Sequence, residues 1–401
     1  MTGSARPWEV GSAFTLPTAY AGSNTPWPSP ARLFGSGRQA LVALLRFGAR
    51  KHGWSAAHLP AYFCPPVAEA ARDVLPVLPY DGGPAGGSGP TTVGPTEVVV
   101  AVSYFGMPPV LPSRRGAALV VDATHDPRAP WLADLDADFV LASLRKTLPL
   151  PDGGLLWSPA GRSLPAPTAT TRSHQLTVGR ILTGMLAKAA YLGGARVPKE
   201  SYLALLRAGE EELATPEVSG ASEHTRLMLS ALPADELRTA RVDNAHRLAA
   251  GLAGLPGVTV RAYPLGVVCQ IDGGDRREEI RRGLVARDIY PAVLWALPDT
   301  APAAQLDLSR RMLFLPTDHR YGSTDMDRVA AALREVAHPT ARPQPTATET
   351  PSSTAAGPPG DTATETPGST GPAQRRHRSP VTPGPGSASG DHRPDLVTPD
   401  R

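Results

Sequence analysis

Small residues lead directly into a helical pattern in the segment FGSGRQAL, residues 34–41. The free backbone N–H groups and the dipole at such a helix N-terminus favour phosphate. Ser36 can add a hydroxyl group, and Arg38 can add a charge-assisted hydrogen bond. Ser36 has a simpler interpretation as a helix cap with no ligand. The segment therefore predicts a phosphate site with that alternative open.

A carboxylate follows an apolar strand pattern in the segment ALVVDATHD, residues 118–126. Open α/β sheets bind ligands at the carboxyl ends of their strands, which is where Asp122 falls. Asp122 can pair with a protonated ring nitrogen, hold a metal ion or cap the next turn. His125, three residues later, can bond the same ligand or be an ordinary loop histidine.

A lysine leaves the next strand pattern in FVLASLRKT, residues 139–147, and a glycine pair follows it. Burial of Lys146 beside Arg145 would lower its pKa and free the amine to attack a carbonyl group. The spacing from Ser143 to Lys146 also occurs in acyl transferases with a serine nucleophile. The companion motifs of those enzymes are not found in this sequence.

Lysine is rare in this chain: of the 40 lysine and arginine residues, only four are lysine. Arginine cannot form a Schiff base or lose its proton in a protein, so each retained lysine is a candidate for such chemistry. Position singles out Lys146. We expect Lys188 and Lys199 to be solvated helix residues, and Arg145 to form a structural ion pair.

Continuous apolar runs alternate with helical patterns over residues 31–338, which predicts an α/β fold. Strands that are apolar throughout indicate a mixed, mostly parallel sheet between helices. A later alternation of strands and helices predicts a smaller C-terminal α+β domain. The predicted strands of the first part are 97–103, 117–122, 137–142 and 154–157, and those of the second are 258–263, 267–271, 289–294 and 312–315.

Composition divides the chain into four parts. We predict an N-terminal arm (1–30), a large domain (31–233), a small domain (234–338) and a tail (339–401). The tail is rich in Pro, Thr, Ser and Gly and repeats the hexamer TATETP, so it cannot bury enough apolar surface to fold. We expect it to be disordered.

The overall composition excludes several classes of protein. The formal charge of +3 over 401 residues gives no nucleic-acid footprint. Cys64 and Cys269 lack metal-site spacing, so we predict neither a structural metal nor a disulfide framework. No apolar run reaches the roughly 20 residues that span a bilayer. These features predict a cytoplasmic protein with no membrane or nucleic-acid partner.

Taken in order, these segments resemble the DegT/DnrJ/StrS aminotransferases, which have the aspartate-aminotransferase fold (fold type I). The resemblance runs from about residue 31 to 337. The phosphate turn of that family, SGtxAL, is matched by residues 36–41, and its EDxAq by 121–125. Its lysine block is matched by residues 143–154 and its vPsyt by LPAYFC, residues 59–64.

The resemblance implies pyridoxal phosphate (PLP) as the cofactor, with Lys146 as its Schiff-base lysine and Asp122 on the pyridine nitrogen. Further cofactor contacts are implied for the phosphate, the ring face and the phenolic oxygen. These contacts would come from Ser36, Gly37, Arg38 and Ser143 for the phosphate, Tyr62 or Phe63 for the ring face, and His125 for the phenolic oxygen.

The implied reaction moves an amino group from an amino-acid donor to a keto acceptor, such as a keto-sugar nucleotide or a natural-product or polysaccharide precursor. The family also implies a homodimer with its active site at the subunit interface. Residues 158–220 match no block of the family, and the partner-subunit block NyRmse is missing. A dehydratase, decarboxylase or condensing enzyme using PLP, or a non-catalytic binding protein, is therefore an alternative.

Overall fold

The computed structural model describes residues 6–17, 25–114, 116–166, 169–215 and 217–338. The predicted tail, 339–401, lies outside the described residues. The boundary between the predicted large and small domains stays a prediction.

The strands of the described residues are numbered in chain order. They are β1 (Val10–Gly11), β2 (Ala31–Phe34), β3 (Ala56–Pro60), β4 (Val77–Tyr80), β5 (Glu97–Val102), β6 (Ala118–Asp122), β7 (Phe139–Ser143), β8 (Gly154–Trp157), β9 (Val258–Ala262), β10 (Gly266–Ile271), β11 (Ile289–Tyr290) and β12 (Met312–Pro316).

The α-helices of the described residues are numbered in the same way. They are α1 (Gly37–His52), α2 (Pro65–Arg72), α3 (Arg172–Leu192), α4 (Lys199–Glu212), α5 (Glu223–Ala231), α6 (Ala234–Gly251), α7 (Gly274–Val285), α8 (Ala303–Arg311) and α9 (Ser323–Ala337).

The main sheet has seven strands in the order β2-β8-β7-β6-β5-β3-β4. Strands β7, β6, β5, β3 and β4 pair in parallel, whereas β8 is antiparallel to both β7 and β2. This arrangement confirms the predicted mixed, mostly parallel sheet, and the four strands expected in this half of the chain are present.

The central strands are apolar throughout because both faces of the sheet are covered. In β5, Val98, Val100 and Val102 pack into the apolar cluster formed with α1 and α2. The intervening Val99 and Ala101 pack into the cluster that includes residues of α5 and α6. Since successive side chains of a strand point to opposite faces, these two clusters are the two sides of one sheet.

Strand register brings the candidate segments to one edge of this sheet. Asp122 at the end of β6 pairs with Leu141 of β7. Ser143, two residues further along β7, pairs with Gly154, which also pairs with Phe34 of β2. Helix α1 begins three residues after Phe34, so its N-terminus opens beside the ends of β6 and β7.

A second, antiparallel sheet has the order β12-β10-β9. It packs with α6, α7 and α9 around a separate apolar core. The predicted strand 289–294 is wrong: only Ile289–Tyr290 is a strand, and it pairs in parallel with β1. Pro291 has no N–H group to donate to a sheet, and after it Ala292 forms an isolated antiparallel bridge with Phe314 of β12.

The region without a family counterpart, 158–220, contains α3 and α4. The two helices pack against each other through Ile181 and Met185 of α3 and Tyr202 and Leu206 of α4. Within the described part of the chain, no helix has the length and apolar character needed to cross a membrane.

Candidate active site

The N-terminus of α1 is packed closely against the ends of β7 and β8. Ser36 is the N-cap of α1, and its side chain accepts a hydrogen bond from the Gln39 N–H at 3.2 Å. A Cβ on Gly37 would lie 2.8 Å from Cβ of Ser143, and one on Gly154 would lie 2.1 Å from the Ser36 carbonyl oxygen. Only glycine permits these approaches, so the glycines hold the helix N-terminus at the sheet edge.

Arg38 lies in the first turn of α1 and lines the adjoining cavity. Its Nε is buried, and it has no hydrogen-bond partner among the described residues. A buried donor without an acceptor costs about 1–3 kcal/mol, which an anionic ligand would recover. The predicted phosphate residues Ser36, Gly37, Arg38 and Ser143 all line this cavity.

Asp122 stands at the end of β6 and lines the same cavity. One carboxylate oxygen accepts the Thr124 N–H at 2.9 Å, so Asp122 does cap the turn that follows β6. The Thr124 hydroxyl in turn accepts the Ser143 N–H at 3.0 Å and ties the ends of β6 and β7 together. Burial raises the pKa of Asp122, and its carboxylate forms no ion pair among the described residues.

Lys146 closes a short turn, Leu144–Lys146, that follows β7. Its side chain is exposed to the cavity and forms no hydrogen bond or ion pair among the described residues. The neighbouring Arg145 guanidinium and the loss of hydration together lower the pKa of Lys146 to about 8. A substantial fraction of the amine is therefore neutral near physiological pH, as a nucleophile requires.

Capture of an aldehyde by Lys146 is expected to follow this pKa. Only the neutral amine attacks, so the rate rises with pH, is half-maximal at about pH 8 and levels off at higher pH. Arg145→Ala removes the main cause of the lowered pKa and moves the midpoint to higher pH. Stopped-flow absorbance with PLP, measured from pH 6 to 10, checks both. An unchanged midpoint in the variant would contradict the assigned cause.

His125 is buried and held between two rings. It is stacked on Phe105 at 6.0 Å and on Trp295 at 5.7 Å between ring centroids. Its Nδ1 accepts the Phe105 N–H at 2.9 Å, which leaves the ring proton on Nε2. Burial, aided by the charges of Lys146 and Arg241, lowers the pKa of His125 to about 4. The residue is thus a neutral hydrogen-bond donor.

These side chains surround one cavity of about 280 Å³. Of the nine predicted site residues, seven line it: Ser36, Gly37, Arg38, Asp122, His125, Ser143 and Lys146. The lining also contains Cys64, Arg145, Glu210 and Trp295. Of these four, the sequence assigned a role only to Arg145, as a structural ion pair beside Lys146.

Tyr62 and Phe63 do not line this cavity, which corrects the expectation that one of them stacks on a ring there. Tyr62 is fully buried, and its hydroxyl donates to the Leu294 carbonyl oxygen. Phe63 packs into the apolar core against α1 and α2. The next residue, Cys64, lines the cavity instead, and the large rings in the lining are those of Trp295 and Phe314.

Cys64 is expected to report on occupancy of the cavity. Iodoacetamide should modify Cys64 and leave the fully buried Cys269 unmodified, and a ligand that fills the cavity should slow the reaction. Burial raises the pKa of the Cys64 thiol, so labelling should be slow at pH 7 and accelerate above pH 9. Peptide mass spectrometry with and without PLP measures this. Equal rates in both samples would place the ligand elsewhere.

The N-terminal segment, residues 6–17, forms the wall of a neighbouring part of the site. Ser12 and Phe14 line two further cavities that also reach Lys146. Lys188 of α3 donates to the Ala13 carbonyl oxygen at 2.6 Å and lies 2.6 Å from a carboxylate oxygen of Glu9.

The prediction of two solvated helix lysines is wrong. Lys188 is fully buried, and Lys199 is held by Asp288 at 2.9 Å and by Glu9 at 3.2 Å. Both amines bond partners from distant parts of the chain, which the helical pattern alone does not reveal. The ion pair predicted for Arg145 is present, with Glu210 as its partner.

Among the residues that the structure describes, His, Cys, Asp and Glu side chains form no group of three suited to a metal ion.

Several solved structures are similar to this chain. DesI, solved with its TDP-sugar product, is 19% identical with a TM-score of 0.47, and the match covers 77% of this chain and 80% of DesI. The aminotransferase TlmJ from Streptoalloteichus hindustanus is 14% identical with a TM-score of 0.48, over 76% of this chain and 85% of TlmJ. Glycine decarboxylase, the P-protein of the glycine cleavage system, is 18% identical with a TM-score of 0.45, over 76% and 71%.

No protein-family model matches the sequence, and no curated protein matches it. At these identities and scores the similar structures leave the reaction open. The residues of the cavity must decide it.

Proposed function

We propose that this protein is a PLP-dependent aminotransferase of the DegT/DnrJ/StrS type. The observation that carries the proposal is the meeting of three groups in one cavity: the α1 N-terminus with Arg38, the carboxylate of Asp122, and the amine of Lys146. A phosphate, a cationic ring nitrogen and an aldehyde are the three groups that these residues would recognise, and PLP carries all of them.

The residues present fit the cofactor. Arg38 has a buried Nε without an acceptor, and the helix N-terminus beside it lacks acidic residues. Ser36 and Ser143 also line the cavity and can contribute hydroxyl groups. Asp122 would hold the ring nitrogen, and the Nε2–H of His125 would donate to the phenolic oxygen. Trp295 offers a ring face in place of Tyr62 or Phe63.

When bound, PLP supplies an electron sink for a substrate carbanion. The protein supplies position and charge. The carboxylate of Asp122 would keep a proton on the ring nitrogen, and the neutral amine of Lys146 would take and return the proton of the substrate's amino-bearing carbon. His125 would fix the orientation of the ring. Amino transfer from an amino-acid donor to a keto acceptor requires these actions in both directions.

Two further features complete the proposal. We assign a homodimer, which three exposed leucines of α3 and α5 support: Leu176, Leu186 and Leu227. Sedimentation velocity tests it. We also assign the reaction to the cytoplasm, supported by the unpaired Cys64 and Cys269. Of the keto acceptors that the sequence resemblance implies, we favour a sugar nucleotide.

The experiment that tests the function is a half-reaction. The protein is loaded with PLP, mixed with single amino acids, and examined by absorbance and by chromatography of the released cofactor. An aminotransferase accumulates pyridoxamine phosphate and consumes it when a keto acceptor is added. Release of carbon dioxide or water without pyridoxamine phosphate would favour the decarboxylase or dehydratase alternative. Failure to bind PLP would reject both.

A further inference from the structure

The wall of the cavity contains an ion pair that joins the lysine-bearing turn to α4. Arg145 immediately precedes Lys146, and its two terminal nitrogens bond the two carboxylate oxygens of Glu210, with an Nη2–Oε2 distance of 2.7 Å. This is the two-pronged geometry in which a guanidinium binds a carboxylate. Arg145 thus already binds a carboxylate, that of Glu210.

The two partners differ in how firmly they are held. The Arg145 side chain is only 16% exposed, whereas that of Glu210 is 53% exposed. Arg145 is fixed by its position in the turn after β7. Glu210 borders two adjoining cavities and reaches the pair from the last turn of α4. Solvent can therefore receive the Glu210 carboxylate if another anion takes its place.

Of the cationic side chains that line the cavity, Arg145 is the one available to bind an anionic group of a substrate. The cations are Arg38, Arg145 and Lys146, and the anions are Asp122 and Glu210. In the proposed function, the cofactor phosphate meets Arg38, and its ring nitrogen meets Asp122. Lys146 acts as a neutral amine, so Arg145 has Glu210 as its remaining counter-ion.

We propose that Arg145 binds the carboxylate of the amino-acid donor and that Glu210 is the internal anion which this carboxylate replaces. The inference rests on the proposed function and adds its substrate recognition. With the pair open, the cavity accepts an anionic donor. With the pair closed, it accepts a keto compound that lacks a carboxylate. One cavity thereby serves one substrate that has a carboxylate beside the reacting carbon and one that lacks it.

The test uses the full-length protein, without and with PLP, and succinate as a carboxylate probe that cannot react. Isothermal titration calorimetry measures its affinity. Glu210→Gln should bind succinate about tenfold more tightly than the wild type, because the competing internal carboxylate is gone. Arg145→Gln should bind it at least about tenfold more weakly. Glu200→Gln, which removes the same charge from an exposed position on α4, should match the wild type.

Two further arms keep the inference falsifiable. Saturating inorganic phosphate should leave succinate affinity unchanged, because phosphate belongs at Arg38. In the loaded enzyme, Arg145→Gln should raise KM for the amino-acid donor and leave KM for a keto acceptor without a carboxylate unchanged. This KM comparison still tests the inference if Glu210→Gln fails to fold.

Equal affinity in Glu210→Gln and the wild type, an equal gain in Glu200→Gln, or displacement of succinate by phosphate would each overturn the inference. Those results leave the proposed function intact if PLP still binds. Absence of PLP binding together with the expected succinate pattern would reject the function and retain Arg145 as a carboxylate site.

Discussion

Lys146→Ala is expected to abolish amino transfer while leaving the protein folded. The variant should lose the visible absorption band of the PLP-loaded protein and the borohydride-stable label on the peptide containing residue 146. Proton transfer by a positioned side chain contributes about 10²–10⁴-fold to a rate, and loss of the nucleophilic amine adds to that cost. Since the side chain faces the cavity and forms no hydrogen bond among the described residues, its removal should cost little stability.

The control for this variant is Lys51→Ala, at an exposed position near the end of α1. It removes the same charge and should keep both the band and the activity. Half-reaction rates, absorption spectra and thermal unfolding of the three proteins give the comparison. A Lys146→Ala protein that retains the band and full activity would exclude Lys146 as the reactive amine and remove the central residue of the proposed mechanism.

Asp122→Asn should reduce the half-reaction rate by about 10²-fold or more without loss of the fold. The substitution keeps the size of the side chain and an oxygen for the Thr124 N–H, but it removes the charge that would hold a proton on the ring nitrogen. Because burial raises the pKa of Asp122, stability should not fall when the charge is lost. The deficit should therefore lie in kcat more than in the affinity for PLP.

Asp73→Asn, at an exposed position after α2, is the matched control and should behave as the wild type. Single-turnover kinetics with an amino-acid donor separates the chemical step from cofactor binding, which is measured by fluorescence titration. If Asp122→Asn transfers amino groups at the wild-type rate, the ring nitrogen needs no anionic partner here and the role given to Asp122 is wrong.

The sequence was informative wherever function depends on the end of a strand or the start of a helix. Asp122 and Lys146 follow apolar runs, and Ser36 precedes a helical pattern, so sheet topology alone brings them to one edge. Local patterns could not identify Glu210 or Trp295. Glu210 arrives on α4, and Trp295 lies in irregular chain after β11, so both depend on packing between distant segments.

The error at Tyr62 and Phe63 has a different cause. The chain bends at residues 61–63 between β3 and α2, so strand alternation does not tell which side chain points into the cavity. Cys64 lines the cavity, while the two aromatic residues before it are buried elsewhere. Likewise, nothing in the pattern of α3 reveals that Lys188 is buried, because its partners belong to the N-terminal segment.

The N-terminal segment forms hydrogen bonds with residues near the C-terminal end of the described chain. Trp8 donates to Asp325 at 2.7 Å, the Gly11 N–H donates to the Tyr321 hydroxyl at 2.8 Å, and β1 pairs with β11. On the ribosome, the N-terminal segment is made more than 300 residues before its partners Tyr321 and Asp325. The wall that Ser12 and Phe14 form beside Lys146 therefore cannot close until most of the chain has been made.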